Sequence, residues 1–226
     1  MINTTELIWD NQEDKLVFEA AGLSHFDDFW KIEDNNKFEL QVRRQHITDA
    51  GDIERQTVRI PFNGKDYYLK RTSASAYRCI KNEYEALAYV PLFGFVPPQS
   101  AVHAFDENTQ RGFVLLKNMD GFYCLGDIRL KKLPEDILAL IGDVTPYYPS
   151  IISKFKAFQK SQFFYRDWMD KHIFINPETK DIGLIDLERF LPKSEVPFHW
   201  RLPFVYGYKR KKERIKLMKA LSLTSL

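Results

Sequence analysis

The stretch TVRIPFNGKDYYLKR, residues 57–71, predicts two short strands joined by a tight turn. In its first half, apolar residues alternate with more polar neighbours, which is the period of a strand with one buried face. Asn63-Gly64 follows, and this dipeptide between two such runs is the strongest short-range signal for a β-hairpin. The stretch therefore predicts an antiparallel sheet, with Lys70 near the end of its second strand.

The segment after this hairpin predicts one helix and two further strands. From Ala76 to Val90 apolar residues recur at helical spacing, and the pattern stops at Pro91. Extended runs follow at 101–105 and 112–116, with a turn-forming segment between them. The first half of the chain is therefore predicted to be a sheet that carries one helix.

The second half of the chain is predicted to be mostly helical. Apolar spacing indicates helices near 137–141 and 151–158. Two short apolar runs, at 173–175 and 182–185, then predict a second hairpin. Polar residues lie just before the first run and just after the second, and the ends of an antiparallel pair meet. These two polar clusters are therefore expected at one end of the hairpin.

Length and composition fit an α+β fold with two small lobes. The chain has 226 residues, of which 44% are hydrophobic and 28% are charged, which excludes a disordered chain. We predict an N-lobe at 1–118, an antiparallel sheet plus one helix, and a reduced helical C-lobe at 119–226. The net charge of +2 gives no overall attraction for nucleic acid, and we expect no such partner.

The sequence predicts a cytoplasmic protein. Cys79 and Cys124 are too few for a disulfide framework, and they lack the paired spacing of a zinc site. The first residues show no signal-peptide pattern, and no apolar run approaches the ~20 residues of a membrane-spanning helix.

Five polar residues have the chemistry that phosphoryl transfer requires: Lys70, Glu83, Asp167, His172 and Asp186. A strand lysine held by a helix carboxylate can bind phosphate oxygens, a loop aspartate can accept a proton, and a second carboxylate can hold a divalent cation. Each residue alone has a more ordinary interpretation, such as a solvated edge lysine, an exposed carboxylate, a surface ion pair or a core histidine. Their joint order along the chain favours a common site.

At these residues the sequence resembles the bacterial lipopolysaccharide kinase family, the Kdo/heptose-kinase group and its InaA-like branch, which are small relatives of protein kinases. The resemblance extends from about Gly22 to Phe190. A His five residues after the catalytic Asp, where most protein kinases have Asn, is its most specific feature. The motifs that carry the resemblance are residues 24–30, 67–71, 82–83, 94–97, Asp167 with 171–174, and 184–189.

The resemblance implies a two-lobed protein-kinase-like fold and an ATP- and Mg²⁺-dependent kinase. The implied acceptor is a heptose or Kdo hydroxyl of a lipid-linked lipopolysaccharide core oligosaccharide, or another small hydroxyl compound. By resemblance, Lys70 would bind the nucleotide phosphates and pair with Glu83, with Glu85 as the alternative partner. Asp167 would accept the proton of the acceptor hydroxyl.

For the metal, the resemblance implies that Asp186 holds Mg²⁺ and that His172 takes the place of the second ligand. A neutral imidazole is a poorer partner for this hard cation than an amide oxygen. The role of His172 therefore stays open, with orientation of Asp167 or of a phosphate as the other interpretations.

One departure from the kinase pattern leaves a second function open. The glycine-rich cover over the phosphates is reduced to residues 49–57, with a single glycine, and Arg55 or Arg59 is expected to compensate. The alternative is a catalytically weak pseudokinase that binds nucleotide. A third interpretation is a phosphotransferase for another small molecule or for a protein.

The C-terminal part carries one dense basic run, residues 209–219, which predicts a helix with a basic face and a thin apolar stripe. We consider attachment to an anionic inner-membrane surface, which would make the protein peripheral there, and an ordinary solvated helix. The aromatic residues of this half are expected mostly in the core, with Trp168 as the exception that lines a sugar cleft.

Overall fold

A computed structural model describes residues 5–49 and 52–224 and divides the chain into two compact units. The first unit comprises Met1–Tyr84 and Pro98–Met119, and the second comprises Glu85–Pro97 and Asp120–Leu226. An antiparallel sheet dominates the first unit and helices dominate the second, so the predicted α+β class is confirmed. The predicted division at 118/119 placed residues 85–97 in the first lobe, whereas the structure groups them with the second unit.

The described part of the first unit is built on a six-stranded sheet in the order β1-β5-β6-β4-β3-β2, in which all neighbours are antiparallel. Two helices precede β2, and a third begins just after β4. The strands are β1 (Ile8–Trp9), β2 (Gln41–Ile47), β3 (Ile53–Phe62), β4 (Lys65–Ser73), β5 (Ser100–Asp106) and β6 (Arg111–Lys117), and the helices are α1 (Gln12–Ala20), α2 (Phe26–Trp30) and α3 (Tyr77–Tyr89).

The predicted hairpin is confirmed as β3 and β4. Its turn residues Asn63 and Gly64 have φ angles of 50° and 72°, the left-handed conformation that these two residue types tolerate best. Along the strands, Val58, Ile60 and Leu69 are fully buried in the core of the first unit, together with side chains from α1 and α2. Because side chains alternate along a strand, Lys70, which follows Leu69, points to the opposite face of the sheet.

On this opposite face α3 packs closely against β6 at Gly112. A Cβ atom at this position would lie 2.9 Å from Phe105 Cδ1 and 3.1 Å from both Ile80 Cγ2 and Tyr77 Cε2. Ordinary Cβ contacts are longer than this, so the absence of a side chain sets how near α3 comes to the sheet.

We expect Gly112→Ala to lower the free energy of unfolding by about 1–3 kcal/mol, because the added methyl group overpacks this contact. The matched control is Gly207→Ala, since a Cβ there meets nothing within 4 Å. Its helical position predicts a gain of up to ~1 kcal/mol. Urea unfolding of both variants checks the prediction, and equal effects of the same sign would contradict it.

Within its described residues, the second unit contains four complete α-helices and two small sheets, a three-stranded one in the order β10-β9-β7 and the pair β11-β8. The predicted helices near 137–141 and 151–158 are confirmed as α5 and α6, and the second hairpin is confirmed as β9 and β10. The strands are β7 (Tyr123–Cys124), β8 (Phe163–Tyr165), β9 (Ile173–Ile175), β10 (Ile182–Leu184) and β11 (Phe190–Pro192), and the helices are α4 (Leu125–Arg129), α5 (Glu135–Ile141), α6 (Tyr148–Gln159) and α7 (Pro203–Ala220).

Trp168 lies at the centre of the core of the second unit. Its side chain is fully buried, with ring centroids 4.9 Å from Phe155, 5.3 Å from Phe158 and 5.7 Å from Phe95. The expectation that Trp168 lines a sugar cleft is therefore wrong, because the indole is enclosed by aromatic side chains. Over the described residues, no helix has the length and apolar character needed to cross a membrane.

Candidate functional site

In the first unit, Lys70 of β4 and Glu83 of α3 form a close ion pair. Lys70 Nζ lies 2.5 Å from Glu83 Oε1, and the two side chains are 18% and 3% exposed. Glu85, the alternative considered from the sequence, is exposed. A buried carboxylate requires a partner, and this pairing fixes the ammonium in place. The lysine side chain remains 18% exposed, so an anion in solvent can approach it.

Arg55 brings a second cation to the same face of the sheet. Arg55 is paired with Thr72 of β4, and Thr57 is paired with Lys70, so these four side chains project to one face. Arg55 Nη2 lies 2.9 Å from the Cys79 Sγ atom of α3. Of the predicted glycine-poor segment 49–57, Ala50 and Gly51 lie outside the described residues.

In the second unit, His172 connects the two aspartates predicted from the sequence. Its Nδ1 atom lies 2.9 Å from the backbone oxygen of Asp167, and its Nε2 atom lies 3.2 Å from Asp186 Oδ2. The hairpin positions this group, because the Ile185 N–H donates to the His172 carbonyl at 3.1 Å, directly beyond the β9–β10 ladder. The prediction that both polar clusters lie at one end of the hairpin is confirmed.

The contacts of His172 indicate which of its ring nitrogens carries the proton. A carbonyl oxygen only accepts, so Nδ1 carries the proton and donates a hydrogen bond to the backbone carbonyl oxygen of Asp167. Burial lowers the pKa of His172, although Asp186 acts in the opposite direction. In the neutral ring, the Nε2 lone pair then faces a carboxylate oxygen of Asp186, an arrangement that a cation between the two atoms would stabilise.

Asp186 has a backbone conformation that is rare outside glycine. Its φ and ψ angles are 59° and 57°, in the left-handed helical region. The preceding residue is held in place by Tyr165, whose hydroxyl donates to the Ile185 carbonyl at 2.9 Å. Aspartate tolerates this conformation better than most non-glycine residues, and six other described non-glycine residues, Asn63 among them, also have a positive φ. The conformation sets the direction of the Asp186 carboxylate.

The residues around Asp186 fit a divalent cation that is held mainly by its substrate. Among residues 5–49 and 52–224, no group of three or more His, Cys, Asp or Glu side chains could enclose a metal ion. Mg²⁺ is usually bound through one or two carboxylates together with substrate phosphates and water. Asp186 supplies such a carboxylate. The Nε2 atom of His172, the other residue predicted to hold the metal, lies 3.2 Å from it.

Two cations that the sequence did not assign to the site lie beside Asp167. Lys216 Nζ of α7 is 3.6 Å from Asp167 Oδ1, and Arg189 Nη1 is 3.7 Å from Oδ2. The carboxylate itself is 8% exposed, whereas the lysine and arginine side chains are 41% and 42% exposed. Each carboxylate oxygen thus has a cation nearby that solvent or a substrate can still reach.

No protein-family model matches the chain, and neither does any curated protein. Among solved structures, the chain is similar to the crystal structure of an aminoglycoside-3'-phosphotransferase of type VIII. The two share 14% identity at a TM-score of 0.48, over 87% of this chain and 83% of that one. A similarity at this identity and TM-score assigns neither the activity nor the substrate of that enzyme to this chain. Membership of the lipopolysaccharide kinase family stays a prediction.

The inner side of α7 holds the segment that contains Asp167. Glu213 Oε1 accepts the Tyr165 N–H at 2.9 Å, and Lys216 Nζ donates to the Arg166 carbonyl. A signal for this arrangement is present in the sequence, because Glu213 is the single acidic residue in the basic run 209–219.

We expect the stability contributed by Glu213 to depend on pH. Burial raises the pKa of Glu213 from its ordinary value of 4.5 to about 7, against the opposing effect of Arg210. The folded state therefore binds this proton more tightly than the unfolded state, and stability is lost as the pH rises from 4.5 through about 7. Relative to the natural chain, Glu213→Gln should gain stability by up to about 3 kcal/mol between pH ~5 and pH ~8.

Urea unfolding of both chains at several pH values measures this difference. Because the glutamine side chain of the variant does not titrate, the variant serves as the internal reference for all other ionisable groups. A difference in stability that stays constant across this pH range would contradict the prediction.

Proposed function

We propose that this protein is an ATP- and Mg²⁺-dependent phosphotransferase that transfers the γ-phosphoryl group to a hydroxyl. The observation that carries the proposal is the bridge made by His172, which joins the backbone of Asp167 to the carboxylate of Asp186. Phosphoryl transfer needs one carboxylate for the acceptor proton and another for a metal ion, both held rigidly. The Lys70–Glu83 pair adds a fixed cation of the kind that binds phosphate.

Each residue has a defined task in this reaction. Asp167 would accept the proton of the acceptor hydroxyl on its carboxylate. Asp186 would hold Mg²⁺, which when bound neutralises charge on the phosphate oxygens. His172 would hold the two aspartates at a fixed distance from each other. Lys70, oriented by Glu83, would bind phosphate oxygens of the nucleotide.

Lys216 and Arg189 would balance the charge of Asp167 before the reaction. Both cations are also partly exposed, so they would be able to contact the negative charge of an incoming phosphoryl group.

For the acceptor, we propose a sugar hydroxyl of the lipopolysaccharide core, a heptose or Kdo, reached at the cytoplasmic face of the inner membrane. This part of the proposal rests on the resemblance of the motifs at Asp167 and Asp186.

The test is incubation of the purified protein with labelled ATP, Mg²⁺ and core oligosaccharides that lack phosphate. We expect label to appear in the oligosaccharide, and to be absent without Mg²⁺ or without the acceptor. Transfer to other small hydroxyl compounds but not to core sugars would retain the reaction and reject the acceptor.

A second candidate function is nucleotide binding without transfer. It is favoured by the segment 49–57, whose single glycine limits how closely the backbone can approach phosphate. A thermal-shift titration with ATP and Mg²⁺, combined with the transfer assay, distinguishes a nucleotide-binding pseudokinase from an active phosphotransferase. ATP at about 100 times its dissociation constant stabilises the folded state by about 2.7 kcal/mol. A thermal shift without transfer to any acceptor would support the pseudokinase.

A further inference from the structure

The outer side of α7 carries apolar side chains that the core does not cover. Its inner side is buried through Arg210, Glu213, Leu217 and Ala220. On the opposite side, Phe204 is 77% exposed, and Tyr208 and Ile215 are 53% and 40% exposed. Three exposed large apolar side chains on one helix form a patch, which is more informative than an isolated exposed residue.

These residues form one stripe, because positions 204, 208, 211 and 215 follow the helical spacing of a single face. Exposed lysines lie within and beside the stripe. We call this surface the outer face of α7, and it consists of Phe204, Tyr208, Lys211, Lys212, Ile215 and Lys219.

The charge of the outer face is entirely positive. Within Pro203–Ala220 the one acidic residue is Glu213, which is buried on the inner side. Part of the basic run is also engaged elsewhere: Lys216 lies beside Asp167, and Lys209 lies 3.7 Å from the centre of the Trp200 ring. The lysines that remain exposed are those of the outer face, together with Arg214.

The segment before α7 extends the apolar surface. Phe198 is 75% exposed and Leu202 is 37% exposed. The apolar side chains thus continue past the N-terminal end of the helix, whereas lysines dominate its C-terminal half. The described surface therefore combines bulky apolar groups with unopposed positive charge.

We propose that the outer face of α7 docks on a membrane surface rich in anionic lipids. The apolar side chains enter the boundary between headgroups and acyl chains, and the lysines contact lipid phosphates. A helix with aromatic residues, lysines and no exposed acid on one face is the form that binds such an interface. The inference does not depend on the proposed phosphotransferase reaction.

The experiment is co-sedimentation of the full chain with vesicles of phosphatidylcholine alone or mixed with phosphatidylglycerol. We expect binding only to the mixed vesicles, and weaker binding at high salt. Lys211→Ala/Lys212→Ala should weaken it about thirtyfold, at ~1 kcal/mol per lysine. The matched control is Lys156→Ala/Lys160→Ala, which removes two exposed lysines from the C-terminal end of α6, a helix without an exposed large hydrophobic residue.

The apolar contribution is tested separately by Phe204→Ala, which should weaken binding to the mixed vesicles about tenfold. Its control is Leu140→Ala, which removes another exposed apolar side chain, 56% exposed on α5. The proposal is overturned by an absence of vesicle binding, by equal binding to neutral and anionic vesicles, or by variants that bind no more weakly than their controls. Capture of nucleic acid or of an acidic protein without vesicle binding would also reject it.

Discussion

Asp167→Asn should lower the rate of phosphoryl transfer by about 10²–10⁴-fold, the range that general bases contribute. Asparagine has the same shape as aspartate but cannot accept a proton from the attacking hydroxyl. The backbone carbonyl that receives the His172 hydrogen bond is unchanged by the substitution. We therefore expect the loss in kcat at nearly constant stability, measured by transfer of label from ATP and by thermal unfolding.

The control for this variant is Asp181→Asn. Asp181 is exposed and lies beside β10, at the end of the same hairpin that is away from His172. Its replacement removes one carboxylate from the unit without touching the described site, so transfer should be unchanged. Transfer at the natural rate by Asp167→Asn would remove Asp167 from the role of proton acceptor.

The local elements could be predicted because their signals are contained in short segments. The alternation before Asn63-Gly64 and the helical spacing at 76–90 each require only nearby residues, and both predictions are confirmed. The position of Asp167 and Asp186 at one end of a hairpin also follows from local pairing. Periodicity and turn chemistry determine these features before tertiary contacts can compete.

The surroundings of Asp167 could not be predicted in the same way. Lys216 is 49 residues further along the chain, inside a basic run whose other lysines face solvent or stack on an aromatic ring. Which lysine turns inward depends on the rotation of α7, and buried Glu213 and Leu217 determine that rotation. The burial of Trp168 also depends on tertiary packing, because its indole contacts Phe95 from a distant segment and Phe155 from α6.

Replacing one member of the Lys70–Glu83 pair should destabilise the protein and abolish transfer. Glu83→Gln leaves the ammonium without this carboxylate, and Lys70→Met leaves a nearly buried carboxylate without this ammonium. Breaking a fully buried pair costs about 3–5 kcal/mol. The lysine side chain is 18% exposed, so a smaller loss, about 1–3 kcal/mol, is expected. Urea unfolding measures the loss.

The double variant Lys70→Met/Glu83→Gln separates the structural role of the pair from its functional role. Since neither group is then charged, most of the lost stability should return, and the cycle should show a coupling energy of about 1–3 kcal/mol. Transfer and the ATP-induced thermal shift should not return, because a methionine cannot bind phosphate. A double variant that regains both stability and ATP binding would show that the pair only stabilises the contact between α3 and the sheet. A stable double variant without ATP binding would instead assign Lys70 to the nucleotide, with Glu83 as the group that positions it.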